Sequence, residues 1–171
     1  MPVRIIVSDS SCLIDLRKAS LLDVFLRLPY EIVIPNTLFE EELIRFTAEQ
    51  KDALVRGGLQ IVDLPGDRVL RAQAIVGSFP RLSIHDCFAF ALAESNPGCI
   101  LLTGDGGLRE LGIQHRMEVH GVLWIIDEIH ANGLAARERL LAILRGFGTD
   151  QTVRLPKREL TACIKRYEQE E

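Results

Sequence analysis

Four acidic positions stand where a carboxylate can do chemistry. They are Asp9 in Val7-Ser8-Asp9-Ser10-Ser11, Glu41 within Glu40-Glu41-Glu42, Asp86 in Leu82-Ser83-Ile84-His85-Asp86, and Asp105 in Leu102-Thr103-Gly104-Asp105. Carboxylates gathered ~5 Å apart repel by on the order of 3 kcal/mol per pair at an effective dielectric near 20, so a cluster of them needs protons or a cation. No lysine occurs in any of the four motifs. A hard divalent ion with oxygen ligands is the natural counter-charge, and Mg²⁺ keeps several waters while held by only one or two carboxylates.

Each acid also has a purely structural reading. Asp9 can cap a helix that starts near Cys12, and Asp105 stands in Asp-Gly turn chemistry. Ser83 and Asp86 have the spacing of a capping box ahead of the apolar run from Cys87 to Ala93. Glu40-Glu41-Glu42 reads as a solvated cluster on the helix that follows Pro35. Leu38 lies three residues before Glu41, which predicts that Glu41 turns toward the sheet while Glu40 and Glu42 diverge by about 100° each. A one-residue slip would put Glu40 or Glu42 in its place.

The elements that must position these acids follow from the apolar pattern. Val3–Ser8, Glu31–Ile34, Leu59–Val62, Cys99–Leu102 and Met117–Val119 are short apolar runs rich in β-branched residues and bounded by turn residues, and they predict five strands. Helical patterns lie between them: Leu13, Leu16 and Leu21–Leu28, then Leu38–Phe46, then Val69–Val76 with Ile84–Ala93. Strands too apolar to leave one face in water, alternating with helices, predict a parallel sheet covered on both sides, a three-layer α/β/α domain. His120-Gly121 closes the fifth strand. Val122–Asn132, Ala135–Leu144 and Pro156–Tyr167 read as three further helices, broken at Gly133 and at Gly146-Phe147-Gly148. In such sheets ligands sit at the carboxyl ends of the strands where the strand order reverses. Asp9 and Asp105 both leave that edge.

At 171 residues with 47% hydrophobic and 26% charged side chains, the composition is that of an ordinary globular domain. The net charge of −4 argues against coating nucleic acid by bulk charge but leaves local contacts open. The opening apolar run meets Asp9 too soon for a signal peptide, and no stretch approaches a membrane span, so a cytoplasmic protein is expected. Cys12, Cys87, Cys99 and Cys163 have neither C-x-x-C nor zinc-finger spacing and read as buried small hydrophobes.

In order and spacing the four motifs resemble the PIN-domain nucleases, and in particular the VapC-like toxins of toxin-antitoxin operons. The resemblance rests on Val7-Ser8-Asp9-Ser10-Ser11 with Leu13-Ile14, Ile34-Pro35 with Leu38 and Glu41-Glu42-Leu43, Leu82 to Asp86 before an alanine-rich helix, and Leu102 to Asp105 with Leu108-Arg109. It implies a PIN-like domain over residues 1–150 and a C-terminal helix over 151–171 packed on the domain or on a partner. It implies a ribonuclease that uses Mg²⁺ or Mn²⁺, with Asp9, Glu41, Asp86 and Asp105 as the catalytic acids. Asp9, Asp86 and Asp105 are the expected metal ligands; Asp86 or Glu41 is the expected proton acceptor. Ser10, Thr103 and Arg109 are the expected substrate contacts. Expected partners are RNA, a second copy of the chain and an antitoxin-like inhibitor, the protein partners resting on the apolar surplus of Val122–Ile126, Leu134, Leu140-Leu141 and Ile143-Leu144.

Two other classes stay open at this level. A haloacid-dehalogenase-like phosphatase needs a second acid two residues after the first, where Ser11 stands. A phosphoryl-accepting receiver needs a lysine ending the fifth strand, where the chain has Val119-His120-Gly121. A catalytically degenerate PIN-like binding or regulatory module is the non-enzymatic alternative.

Overall fold

Five short apolar segments form strands: β1 (Ile5–Ser8), β2 (Glu31–Pro35), β3 (Gln60–Val62), β4 (Ile100–Leu102) and β5 (Glu118–His120). In the computed structural model, which describes residues 2–169, they form one all-parallel sheet in the order β3-β2-β1-β4-β5. The central strands are buried on both faces through Ile6, Val7, Ile32–Ile34 and Ile100–Leu102, as expected of a sheet covered by helices on both sides. The edge strand β3 instead leaves Gln60 and Ile61 exposed.

The helices are α1 (Ser10–Lys18), α2 (Leu22–Phe25), α3 (Asn36–Glu41), α4 (Ala48–Arg56), α5 (Gly66–Ser78), α6 (Ile84–Glu94), α7 (Gly106–Gln114), α8 (Val122–Ala131), α9 (Arg137–Thr149) and α10 (Lys157–Gln169). The alanine-rich α6, with Cys87, Ala89 and Phe90–Ala93 buried, lies against β1, β2 and β4 and is flanked by α5 and α7. α1, α2 and α8 pack on one another, and α9 and α10 extend that layer. The three-layer α/β/α expectation holds. No helix among the described residues is long and apolar enough to cross a membrane. All four cysteines are buried and free.

Several boundaries differ from the sequence reading. The second crossover is two helices, because α3 ends at Glu41 and a capping box between Thr47 and Gln50 starts α4. α7, after β4, escapes the apolar count because two glycines open it, yet Asp105 caps it and buries Leu108 and Leu111. Gly146 and Gly148 do not break α9. Phe147 between them is buried, and that packing offsets the ~1 kcal/mol each glycine costs in a helix interior. The strand begins at Ile5, with Val3 left exposed. Residues 151–156 form a connecting strap, and α10 packs on α9 through Leu160, Cys163 and Tyr167. Met1, Glu170 and Glu171 lie outside the described residues.

The apolar surplus of the C-terminal helices is consumed inside the chain. Val122, Ile125, Ile126, Ile129, Leu140 and Leu144 are all buried, and Leu134, Leu141 and Ile143 pack against the same core.

Candidate active site

The strand order reverses between β1 and β4, which pair in register from Ile6 with Ile100 to Ser8 with Leu102. The next residue, Asp9, continues the pairing: its amide donates to the Leu102 carbonyl at 3.0 Å. Asp9 then becomes the N-cap of α1, as Asp105 becomes the N-cap of α7. β1 passes into α1 through Asp9 alone, whereas β4 reaches α7 through Thr103, Gly104 and Asp105, and in each case the residue before the helix is the aspartate that caps it.

Asp9 is 3% exposed. Its Oδ1 accepts from the Ser11 hydroxyl at 2.7 Å and the Cys12 amide at 3.3 Å, and its Oδ2 accepts from the Thr103 hydroxyl. Both hydroxyls also accept. Ser11 Oγ takes the Gly104 amide and Thr103 Oγ1 the Asp105 amide, each at 2.9 Å. Burial pushes the Asp9 carboxyl up to about 6; the hydroxyl and amide donors oppose that rise, and the charge of Asp86 adds to it. Asp86 is itself raised by burial, and the charge of Asp105 adds to that shift. Asp9 thus feels the charge of Asp86, and Asp86 that of Asp105.

Asp86 realises the capping box, with Oδ2 accepting from the Ser83 amide at 3.1 Å while its own amide donates to Ser83 Oγ at 3.0 Å. Asp105 Oδ2 accepts from the Leu108 amide at 2.8 Å. Among the described residues, neither Oδ1 has a hydrogen-bond donor, and no lysine, arginine or histidine pairs with Asp9, Asp86 or Asp105. The structural roles are therefore real and leave one oxygen free on each of the two outer acids.

The acidic triplet on α3 turns out differently from the sequence reading. Glu41 is 60% exposed, and its carboxylate meets His85 Nε2 at 2.5 Å. Glu42, at 30% exposure, is the inward one: its Oε1 accepts from the Ser10 hydroxyl at 2.8 Å, one residue from Asp9. The helical wheel misplaced the triplet because α3 is only six residues long and Glu42 is its C-cap, past the last regular turn. Leu38 is buried as expected, but that fixes only the helix proper.

Two expected substrate contacts are occupied within the protein. Thr103 is fully buried with its hydroxyl shared between Asp9 and the Asp105 amide, and Ser10 is buried against Glu42. They position carboxylates and do not face solvent. Arg109, one turn into α7, is exposed and lies over the β5–α8 turn, where a Cβ on Gly121 would come within 3.3 Å of its Nη2. Ser11, the last residue of the first motif though not among the expected substrate contacts, bridges Asp9 and the Gly104 amide.

A family model described as a PIN domain matches residues 5–169. The chain belongs to the PIN-domain family. PIN domains are generally metal-dependent nucleases, so the sheet and its switch-point acids belong to a nuclease fold. A comparison with curated proteins returns no match. Strand order separates this PIN domain from the receiver alternative, whose order would be 2-1-3-4-5.

The donor set suits a hydrated hard cation. Its members are carboxylate oxygens, the charge of Asp86 raises Asp9 and that of Asp105 raises Asp86, and none of these three aspartates is in an ion pair among the described residues. Among the described residues no group of three or more His, Cys, Asp or Glu side chains is placed to hold a metal ion. An ion that keeps several waters and takes only one or two carboxylates directly needs no such group.

Proposed function

We propose that this PIN domain is a Mg²⁺- or Mn²⁺-dependent endoribonuclease of the VapC type, a cytoplasmic toxin held in check by an antitoxin protein. The observation that carries the nuclease reading is that Asp9 and Asp105, the N-caps of the helices after β1 and β4, stand at the switch point of the sheet with Asp86 near enough for its charge to act on Asp9, none of the three in an ion pair among the described residues.

Asp105 and Asp86 offer their free oxygens as ligands, and Asp9 supports them from below as a carboxylate fixed by three donors. A divalent ion there supplies Lewis-acid stabilisation of the scissile phosphate and an acidified water. Asp86 or Glu42 takes the proton of the attacking water. Ser10 orients Glu42, and Thr103 and Ser11 hold Asp9 to the 103–105 loop, so the acids do not reorganise as charge develops. Arg109 engages a phosphate next to the one that is cut.

Incubating the purified protein with mixed structured RNAs under Mg²⁺, Mn²⁺ or EDTA tests the chemistry. Internal cleavage that EDTA abolishes is expected; cleavage undiminished by EDTA, or none with either ion, overturns it. The toxin role is supported by the resemblance to VapC-like chains. Growth arrest on expressing the chain alone, relieved by a small neighbouring reading frame, is the expected outcome. Self-association belongs to the same reading, and a monomer in light scattering at micromolar concentration removes it.

A further inference from the structure

We propose that the groove between the β5–α8 turn and the 154–166 segment is the single-stranded RNA subsite beside the acids, with a base stacked on the His120–Trp124 pair and phosphates on Arg109 and Arg154. This rests on the ribonuclease reading and deepens it.

The groove has a volume of about 590 Å³ and runs beside the site acids: Gly104 and Gly106, the two neighbours of Asp105, form part of its wall, while Asp9, Asp86 and Asp105 themselves do not line it. His120 and Trp124 also line it, stacked with ring centroids 4.2 Å apart and an interplanar angle of 7°. Tyr30 packs against Trp124 in a tilted arrangement, at 5.9 Å and 53°, which helps to hold the indole in place. Successive stacking on a preformed aromatic platform is how proteins hold unpaired bases, whatever their sequence.

The cations of the groove complete the match. Arg109 and Arg154 both line it, both are exposed, and neither has an ion-pair or hydrogen-bond partner among the described residues. Arg166, by contrast, is engaged by Asp127 at 3.1 Å. Beyond Arg154 the exposed Lys157, Arg158 and Lys165 border one further hollow on α10, again without ion-pair partners among the described residues, which prolongs the basic track away from the acids. Asp15 and Glu159 are the acids of the groove wall. A duplex would present paired bases and offer no free ring to the stack, so the arrangement selects a single strand.

Trp124 is the only tryptophan, so its fluorescence reports on this groove alone. A short single-stranded oligoribonucleotide of mixed sequence, titrated in EDTA to keep it intact, is expected to quench that emission saturably. The quench should track anisotropy of the same strand carrying a dye. His120→Ala is expected to weaken binding about ten-fold while His120→Phe retains it. Arg154→Ala is expected to lower the slope of log affinity against log salt by about 0.7. Binding seen by anisotropy without any change in Trp124 emission, or unaffected by Arg154→Ala and Arg109→Ala, overturns the proposal, as does the absence of binding. Quenching by a protein inhibitor but not by RNA also overturns it. If the strand quenches Trp124 and no RNA is cleaved with Mg²⁺ or Mn²⁺, the subsite stands and the nuclease reading falls. Cleavage without quenching does the opposite, keeping the nuclease and removing the subsite.

Discussion

Thr103 donates its hydroxyl to Asp9 across the β1–β4 join while accepting the backbone amide of Asp105, so one buried side chain ties both switch-point aspartates together. The bond spans 94 positions of sequence. Its geometry makes the placement of the two acids a single event.

Replacing Thr103 by Val keeps the shape but removes both bonds and leaves a buried carboxylate oxygen unpaired. A loss of about 1–3 kcal/mol is expected in denaturant titration. Cleavage should fall in kcat with KM nearly unchanged, and Thr103→Ser should restore most of both. Val behaving like wild type in both measurements would refute the tie.

Asp86 tests capping against chemistry. Asn caps nearly as well as Asp, so Asp86→Asn should melt within a few degrees of wild type while cleavage drops at least ten-fold. Asp86→Ala should lose about 1 kcal/mol in addition. Full activity in the Asn variant would confine Asp86 to the capping box.

For the acidic triplet, Glu42→Gln can still accept from Ser10 but cannot hold a proton from water. It is expected to slow cleavage, whereas Glu41→Gln, at an exposed site paired with His85, should leave the rate within two-fold or so. The opposite ranking in steady-state assays would return the inward role to Glu41.

Metal-free stability should depend on pH through Asp9. Its carboxyl titrates near 6 in the fold and near 3.9 when unfolded, so the folded state holds the proton more tightly. That contribution is fully present below about pH 4 and is lost as pH rises through about 6. It is worth on the order of 3 kcal/mol. Other carboxylates pull the opposite way, notably Glu94, which Arg71 and Arg68 hold below its ordinary value. The measurement is therefore the difference in Tm between Asp9→Asn and wild type in EDTA, expected to grow in the variant's favour from pH 4 to pH 7. A difference constant with pH would mean that Asp9 is not strained in the metal-free fold.

Two glycines in helices should respond with opposite signs. A Cβ at Gly112 would lie 2.8 Å from Val119 Cγ2 and 3.1 Å from Leu101 Cδ2, so Gly112→Ala should cost about 1–3 kcal/mol. Gly77 in α5 meets nothing within 4 Å, and Gly77→Ala should gain up to about 1 kcal/mol. Thermal melts of the pair decide it.

What could be read in the sequence was what local chemistry dictates. All five strands were legible because the apolar runs are short, β-branched and stopped by turn residues. The positions of Asp9, Asp86 and Asp105 at helix starts were legible because few residue types cap a helix. The Glu41–Glu42 register was not, since a six-residue helix ending in mid-triplet obeys no wheel. The burial of Thr103 and Ser10 depends on partners far away in sequence, as does the packing that carries α9 through two glycines. The groove beyond Arg109 required α10 to fold back beside β5, which periodicity cannot show.

The distance in sequence between Asp9 and Thr103 also sets a clock during synthesis. At roughly 5–20 residues per second, a growing chain carries β1 for about 5–20 s before β4 emerges to pair with it. Throughout that interval the acid constellation lacks Asp105, and the Asp9 carboxylate lacks the Thr103 hydroxyl that fixes it. If these acids are the nuclease site proposed above, a nascent chain is silent until the second half of the sheet closes on the first.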